Sequence, residues 1–248
     1  MVNLFVNGEE MYSFESRIRY SECDSECKLR LESLLDYFQD ASTFQSEELG
    51  AGFAYLAPRN LVWVLASWHI DIKRYPKLGE KVIVGTHPHD FKGFLGSRNF
   101  CMMTEQGEML AKANTLWTLL NFDTMKPTMA PKELTDKYEI EPPLEMENVG
   151  RKIQYNDVME RLEPIIVRKQ HLDSNYHVNN AQYVSMAVDC LPEGFVIGRL
   201  RVEYKKQAHL GDVLIPYVAK QDERFIVSLR DEEQSVYVNA EFLAMKEE

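Results

Sequence analysis

Two parts of this chain repeat each other in the same order, and the repeat constrains the fold more than any other feature. At an offset of 149 residues, Asp24 and the serine after it match Asp173 and its serine. At an offset of 132, residues 70–80 match residues 202–212. Two matches in the same order indicate an internal duplication. The sequence therefore predicts two copies of one structural unit.

Each copy is predicted to begin with a helix and to continue as strands. Apolar residues recur at helical spacing from Leu31 to Ala41, and again from Ala181 until Pro192 ends the pattern. Runs rich in β-branched and aromatic residues follow. The predicted strands are 61–72, 81–87, 95–104 and 109–121 in the first copy, and 195–206, 213–220, 224–230 and 235–244 in the second. Short turns between them favour an α+β fold with a mainly antiparallel sheet that buries the helix on one face.

The two offsets also predict where the copies differ and where they end. The offset falls from 149 to 132, so the first copy carries 17 more residues between helix and strand, which we place at residues 50–60. Residues 126–164 contain several prolines and many charges, which is typical of a linker. We therefore predict a first domain at residues 1–125, a linker at 126–164 and a second domain at 165–248.

Composition excludes several classes of function. The 248 residues carry a formal net charge of −11, which argues against binding nucleic acid through a broad basic face. Residues 1–10 have no basic region and too short an apolar run for an export signal, and no later stretch is long enough to span a membrane. The four cysteines are scattered, which favours free thiols in a reducing compartment over a metal site. We expect a cytoplasmic protein without a metal or an organic cofactor.

A polar cluster precedes the second predicted helix. Asp173, Asn175 and His177 alternate with other residues, so an extended run would direct all three side chains to one side. Asn179 and Asn180 follow and are good N-cap residues, so the cluster lies beside backbone N–H groups that favour an anion. The alternative is a polar loop in which Asp and Asn only satisfy the backbone of a turn. The spacing alone leaves both interpretations open.

The run from His171 to Tyr183 resembles the Asp-x-Asn-x-His-Val-Asn-Asn-x-x-Tyr signature of acyl-acyl carrier protein (acyl-ACP) thioesterases of the FatA/FatB type, in their shorter bacterial form. The strand at residues 202–206 and the turn at residues 210–212 are also similar to that family, as is the duplication. The resemblance implies a tandem hotdog fold, in which two long helices are each wrapped by an antiparallel sheet and the sheets are joined into one.

The same resemblance implies hydrolysis of fatty acyl-ACP thioesters, with release of free fatty acid and ACP. It assigns general base work or orientation of the imidazole to Asp173, positioning of the thioester or water to Asn175, and proton transfer or carbonyl polarisation to His177. The fourth residue is Gln207, which stands where plant members carry Glu. A carboxamide can orient a water but cannot act as a base. Ala208 follows where those members carry Cys, so the proton transfer falls to Asp173 and His177.

The first copy lacks this set of residues. Glu26, Lys28 and Tyr75 occupy the positions of Asn175, His177 and Gln207. We therefore predict one active site per chain and, from the resemblance, an N-terminal copy that holds the acyl chain. Candidate lining residues are Leu34, Phe38, Trp63, Trp68 and Met102, although each is more simply explained as core packing.

Two other functions remain open. The same loop would serve an acyl-CoA thioesterase, and a non-catalytic acyl-binding sensor would keep the pocket without the reaction. The expected partner is ACP with its phosphopantetheine-linked acyl chain, towards which basic residues such as Lys205 and Lys206 could steer an acidic carrier. The oligomeric state is left open, with a homodimer as one alternative.

Overall fold

The computed structural model describes residues 4–6, 9–156 and 158–246, and for residues 4–6, 9 and 10 it describes the backbone only. Part of the N-terminal segment for which no export signal is predicted, residues 1–3, 7 and 8, lies outside these ranges. The chain forms two compact units. The first comprises residues up to 66 together with 73–147, and the second comprises 67–72 together with 148 onwards.

The first unit is a helix on an antiparallel sheet. Its strands are β1 (Leu4–Val6), β2 (Glu9–Arg17), β3 (Leu61–Ile72, of which residues 61–66 belong here), β4 (Lys81–Lys92), β5 (Leu95–Thr104), β6 (Met109–Asn121) and β7 (Lys126–Pro127). The order in the sheet is β1-β2-β4-β5-β6-β3, with β7 on β6. The helices are α1 (Leu31–Glu48), α2 (Phe53–Leu56) and α3 (Lys132–Thr135).

The second unit repeats this plan with fewer residues. It contains β8 (Glu160–Arg161), β9 (Ile165–Ile166), α4 (Asn180–Val188), β10 (Ile197–Tyr204), β11 (Val213–Gln221), β12 (Arg224–Arg230) and β13 (Val236–Ala244). The order is β10-β13-β12-β11, with β8 and β9 on β11, and residues 67–71 of β3 pair with β10. The pairs are antiparallel, as predicted from the short turns.

Apolar spacing explains the position of each helix. In α1, Leu34, Leu35, Phe38 and Ala41 are fully buried, and the helix packs on β2 and β4. The ring of Phe38 lies 5.4 Å from that of Phe100 on β5, measured between centroids. Residues three or four apart lie on one helix face, so this spacing gives the helix a single buried side. Helix α4 packs in the same way on β12 and β13.

Backbone hydrogen bonds confirm the duplication at both offsets. Leu29 donates to Pro76 O at 2.9 Å in the first unit, and Val178 donates to Ala208 O at 3.0 Å in the second. Val178 is 149 residues after Leu29, and Ala208 is 132 residues after Pro76. The donors of the two bonds are thus related by the offset of 149, and the acceptors by the offset of 132. This agreement is expected if both copies fold alike.

The helices differ more than the sequence predicts. Helix α1 has 18 residues and α4 has nine, so only the first is long. The two helices begin at equivalent positions, and the additional residues of the first copy therefore begin inside the helix, well before residue 50. They continue through α2 and the short 3-10 turn Ala57–Arg59.

Most strand boundaries match the predictions, and β4 shows why one does not. The predicted strand ends at His87, yet β4 continues past Pro88 to Lys92. Its register against β5 shifts between Pro88 and Asp90. A β-bulge accommodates a residue that cannot donate to the ladder, which lets the strand continue past the proline.

The structure divides residues 126–164 between the two units and does not set them apart as a linker. In the first unit, β7 pairs with β6, and Leu134 of α3 is buried beside Ala51 and Leu119. In the second unit, Arg201 donates to three backbone carbonyls of residues 149–152. These contacts provide hydrogen-bond partners for backbone groups of the proline-rich segment, as packing against the units requires.

Candidate active site

Asp173 organises the loop that carries the predicted catalytic residues. Its Oδ1 accepts hydrogen bonds from the backbone N–H groups of Asn175 at 2.7 Å and His177 at 3.3 Å. The backbone N–H of Asp173 donates in turn to His177 O at 2.8 Å. Tyr176 has a left-handed backbone with φ of 62°, which closes the turn. The predicted extended run is therefore wrong, because residues 173–177 form a turn and their side chains do not share one strand face.

The equivalent loop of the first unit has the same geometry. Asp24 Oδ1 accepts from the backbone N–H groups of Glu26 and Lys28, each at 2.9 Å. Cys27, which corresponds to Tyr176, has a φ of 59°. A loop without a histidine thus uses its aspartate in the same way. The hydrogen bonds of Asp173 follow from the architecture of the loop, which is what the polar-loop alternative predicts.

The side chain of His177 is half-buried beside a second imidazole. Its ring centroid lies 4.8 Å from that of His209. Burial lowers the pKa of His177 and the neighbouring His209 lowers it further, while Asp173 has the opposite, smaller effect. His177 is therefore neutral at neutral pH and can accept a proton. Among the described residues, the hydrogen bonds of the Asp173 carboxylate go to backbone N–H groups and none to the His177 ring.

The segment after β10 lies against this loop. Val178 donates to Ala208 O, and Ala208 N donates to the hydroxyl of Tyr183 on α4 at 2.7 Å. These two bonds fix the half-buried Gln207 and the exposed His209 on either side of Ala208. The structure therefore brings the Gln207 segment to the backbone of the loop. His209 was not predicted as a site residue, because its contact with His177 joins segments that are distant in sequence.

Asn175 and the start of α4 are the remaining parts of the predicted site. The side chain of Asn175 is exposed. The N-cap of α4 is Asn179, whose side chain accepts from Ala181 N at 2.8 Å, while Gln182 N donates to Asn179 O. Two of the first-turn N–H groups are therefore already paired, which leaves fewer donors for an oxyanion than a free helix N-terminus would offer.

The described part of the chain contains neither a metal-ligand cluster nor a membrane-spanning helix. Within residues 4–6, 9–156 and 158–246, no group of three or more His, Cys, Asp or Glu side chains is arranged to hold a metal ion. None of the helices in the described part combines the length and the hydropathy that crossing a bilayer requires.

Comparison with known families identifies the family of the chain. The acyl-ACP thioesterase N-terminal domain matches residues 9–138, and the acyl-ACP thioesterase C-terminal domain matches residues 155–242. The chain belongs to the acyl-ACP thioesterase family. The C-terminal match lies within the second unit, and the N-terminal match lies within the first unit except for residues 67–72, which belong to the second.

Relatives with curated names share about a quarter of the residues. A palmitoyl-acyl carrier protein thioesterase from Gossypium hirsutum is 26% identical over 227 residues, which cover 82% of this chain and 54% of the relative. The oleoyl-acyl carrier protein thioesterase 1 of Arabidopsis thaliana is 26% identical over 224 residues, covering 79% and 60% respectively. This family member thus spans between half and two thirds of the length of the chloroplastic relatives.

Solved structures show that the fold is that of the family. An acyl-ACP thioesterase from Bacteroides thetaiotaomicron matches with a TM-score of 0.85 and 22% identity, covering 93% of this chain and 96% of the other. The α+β fold is therefore of the hotdog type, with one helix on an antiparallel sheet in each unit.

The first unit of this acyl-ACP thioesterase family member contains a cavity of about 260 Å³. Of the five side chains named from the sequence as candidates for an acyl slot, Trp63 lines this cavity. The other four are fully buried core residues, as the core-packing explanation predicts. They are Leu34, Phe38, Trp68 and Met102.

Proposed function

We propose that this protein hydrolyses the thioester of fatty acyl-ACP and releases free fatty acid and ACP. The observation that carries the proposal is the half-buried, neutral imidazole of His177, held by an aspartate-capped loop in a chain of the acyl-ACP thioesterase family. Hydrolysis of a thioester needs a base for the water and donors for the oxyanion. The loop offers both kinds of group.

His177 is the base in this proposal. Its imidazole takes a proton from a water, and the oxygen of that water attacks the thioester carbonyl carbon. The tetrahedral intermediate then collapses, the carbon–sulfur bond breaks, and the imidazolium returns the proton to the leaving thiolate. Asp173 is a positioning residue, because its Oδ1 already accepts two backbone N–H groups and its negative charge favours the imidazolium.

The two amide side chains supply hydrogen bonds without carrying charge. Asn175 is exposed and can direct its amide N–H towards the carbonyl oxygen as negative charge develops there. Gln207 orients the water, as its carboxamide has both a donor and an acceptor. The proposed division of work needs no metal ion and no organic cofactor.

ACP is the proposed partner, and Lys205 and Lys206 form the candidate basic contact. Both side chains are exposed, and each already has an acidic neighbour. Lys206 Nζ lies 2.9 Å from Asp231 Oδ2, and Lys205 Nζ lies 3.5 Å from Glu203 Oε2. An acidic carrier would therefore compete with internal ion pairs, so its attraction to this strand end should be weak and sensitive to salt.

The test is release of free fatty acid from acyl-ACP by the purified protein, with His177→Ala as the variant. Lys28→Ala is the matched control, because Lys28 occupies the same position in the loop of the first unit. We expect His177→Ala to lower kcat by about 10²- to 10⁴-fold and Lys28→Ala to leave it unchanged. Equal kcat in the wild type and His177→Ala would remove His177 from the mechanism.

Matched acyl-CoA thioesters distinguish the remaining functions. Faster hydrolysis of acyl-CoA than of acyl-ACP, compared as kcat/KM, would make the protein an acyl-CoA thioesterase with the same loop. Binding of acyl-ACP without any release of acid would make it a non-catalytic acyl-binding protein. Release from acyl-ACP at the higher kcat/KM is the result that the proposal requires.

A further inference from the structure

Three segments of the first unit meet where its strands turn. Ala130, between β7 and α3, donates its backbone N–H to Gly93 O in the turn between β4 and β5, at 3.0 Å. Phe122, in the turn between β6 and β7, donates its backbone N–H to Asn60 O, just before β3, at 2.7 Å. These bonds hold the three segments together at one end of the sheet. We call them the turn end of the first unit, and they are residues 53–60, 92–95 and 121–133.

Large apolar side chains of the turn end are exposed to solvent, by 40–74% each. They are Phe53, Phe94, Phe122, Met125 and Met129. These are five of the fifteen large apolar side chains that are exposed in the described chain, although the turn end has only 25 residues. The Sδ of Met129 lies against Gly93, the residue before Phe94, so these side chains come from turns that are in contact. A concentration of exposed apolar groups marks a surface that binds a protein or a membrane.

Basic residues accompany these apolar side chains. Four exposed cations belong to the turn end, and they are Arg59, Lys92, Lys126 and Lys132. Two carboxylates oppose them, Asp123 and Glu133, and Asp123 accepts a hydrogen bond from the side chain of Asn60 at 2.9 Å. Among the described residues, none of the three lysines has an ion-pair partner. The turn end is therefore net positive in a chain whose formal net charge is −11.

We propose that the turn end binds the surface of a bilayer that contains anionic lipids. Phenylalanine and methionine side chains enter the boundary between headgroups and acyl chains, while the lysines extend their stems and keep the ammonium groups at the lipid phosphates. An anionic bilayer attracts basic residues that lie close to its surface. The apolar side chains come from three separate segments, and a fluid bilayer accommodates them singly, whereas a folded protein partner would need a complementary shape. The inference does not depend on the reaction proposed for the second unit.

The test is flotation of the full chain with vesicles of two compositions. One contains equal amounts of phosphatidylglycerol and phosphatidylcholine, and the other contains phosphatidylcholine alone. We expect binding to the anionic vesicles to be at least about tenfold tighter than to the neutral ones, and to weaken at high salt. Phe122→Trp provides a probe of insertion, because an indole at this exposed position should shift its emission to shorter wavelength on the anionic vesicles.

Two double variants separate the apolar contribution from the charge. Phe122→Ser with Met129→Ser removes two of the most exposed apolar side chains and should weaken vesicle binding at both low and high salt. Lys126→Glu with Lys132→Glu should weaken it at least about tenfold at low salt and less at high salt. All four positions are exposed, and thermal denaturation should confirm that both variants remain folded.

The matched control lies before the start of β4, whose other end leads into the turn end. Lys77 and Leu78 are an exposed basic and apolar pair there, so Lys77→Glu with Leu78→Ser should bind the vesicles as the wild type does. Absence of binding to anionic vesicles, or wild-type binding by the folded turn-end variants, would overturn the inference. Self-association of the wild type that Phe122→Ser with Met129→Ser abolishes, seen by light scattering without vesicle binding, would instead assign the surface to a second copy of the chain.

Discussion

The paired aspartates of the two loops allow loop stability to be separated from catalysis. Asp24 and Asp173 each accept two backbone N–H groups through Oδ1, at distances between 2.7 and 3.3 Å. Removing a side-chain acceptor of this kind costs about 0.5–2 kcal/mol. Because the geometries match, Asp24→Ala and Asp173→Ala should destabilise the protein by similar amounts, with Asp24→Ala at the lower end since it is the more exposed. A loss of about 1 kcal/mol lowers Tm by roughly 2–4 °C in a chain of this size.

The asparagine variants complete the comparison. Asn keeps an acceptor oxygen in the same position, so Asp24→Asn and Asp173→Asn should unfold within about 0.5 kcal/mol of the wild type, as followed by thermal and urea denaturation. In the acyl-ACP assay, Asp24→Asn should leave kcat unchanged, whereas Asp173→Asn should lower it. If Asp173→Ala proved much more destabilising than Asp24→Ala, the shared loop geometry would not be the source of the cost. If Asp173→Asn kept wild-type kcat, the charge of Asp173 would have no part in the reaction.

Three further predictions concern charge. The activity should fall at low pH as His177 gains a proton, with its acid limb below the ordinary histidine range because burial and His209 lower its pKa. In pH–rate profiles, Asp173→Asn should shift the acid limb to lower pH, because the carboxylate that raises the pKa of His177 is lost. His209→Gln should shift the limb to higher pH, because the neighbouring imidazole lowers that pKa. Shifts of both variants in the same direction would contradict the assignment of the limb to His177. Replacing Lys205 and Lys206 by Glu should weaken ACP binding at low salt and have less effect at high salt, as measured by titration at two ionic strengths. Unchanged binding at low salt would exclude this strand end as the docking surface.

The part of the fold that could be predicted from the sequence is the part that follows from the internal duplication. The two offsets correctly relate equivalent residues of the two copies, because the bond of Leu29 with Pro76 has its counterpart in the bond of Val178 with Ala208. The lengths of the helices could not be predicted in this way. The apolar spacing of α1 continues only to Ala41, yet the helix runs to Glu48, and its last turns are stabilised by contacts within the folded unit, such as the hydrogen bond between Tyr138 and Ser46.

The candidate site was predicted as a set of residues and not as a geometry. Alternation of Asp173, Asn175 and His177 suggested one extended face, but the left-handed backbone of Tyr176 makes the segment a turn. A tyrosine is not the residue that signals such a conformation, as glycine and asparagine adopt it most readily. The proximity of His209 to His177 also depends on a contact between segments that are distant in sequence, which no local pattern encodes.

Arg98 shows how a buried charge can be hidden in a strand. Strand β5 is apolar or small at most positions, and a single arginine within it would ordinarily be assigned to a solvent-facing side. Its burial becomes evident only when Gln45 of α1 and Thr86 of β4 are brought against it. If the hydrogen bonds of Arg98 to Gln45 and Thr86 stabilise the fold, Arg98→Met should lower Tm, because both partners lose their donor. An unchanged or higher Tm in thermal denaturation would show that the fold does not depend on this buried charge.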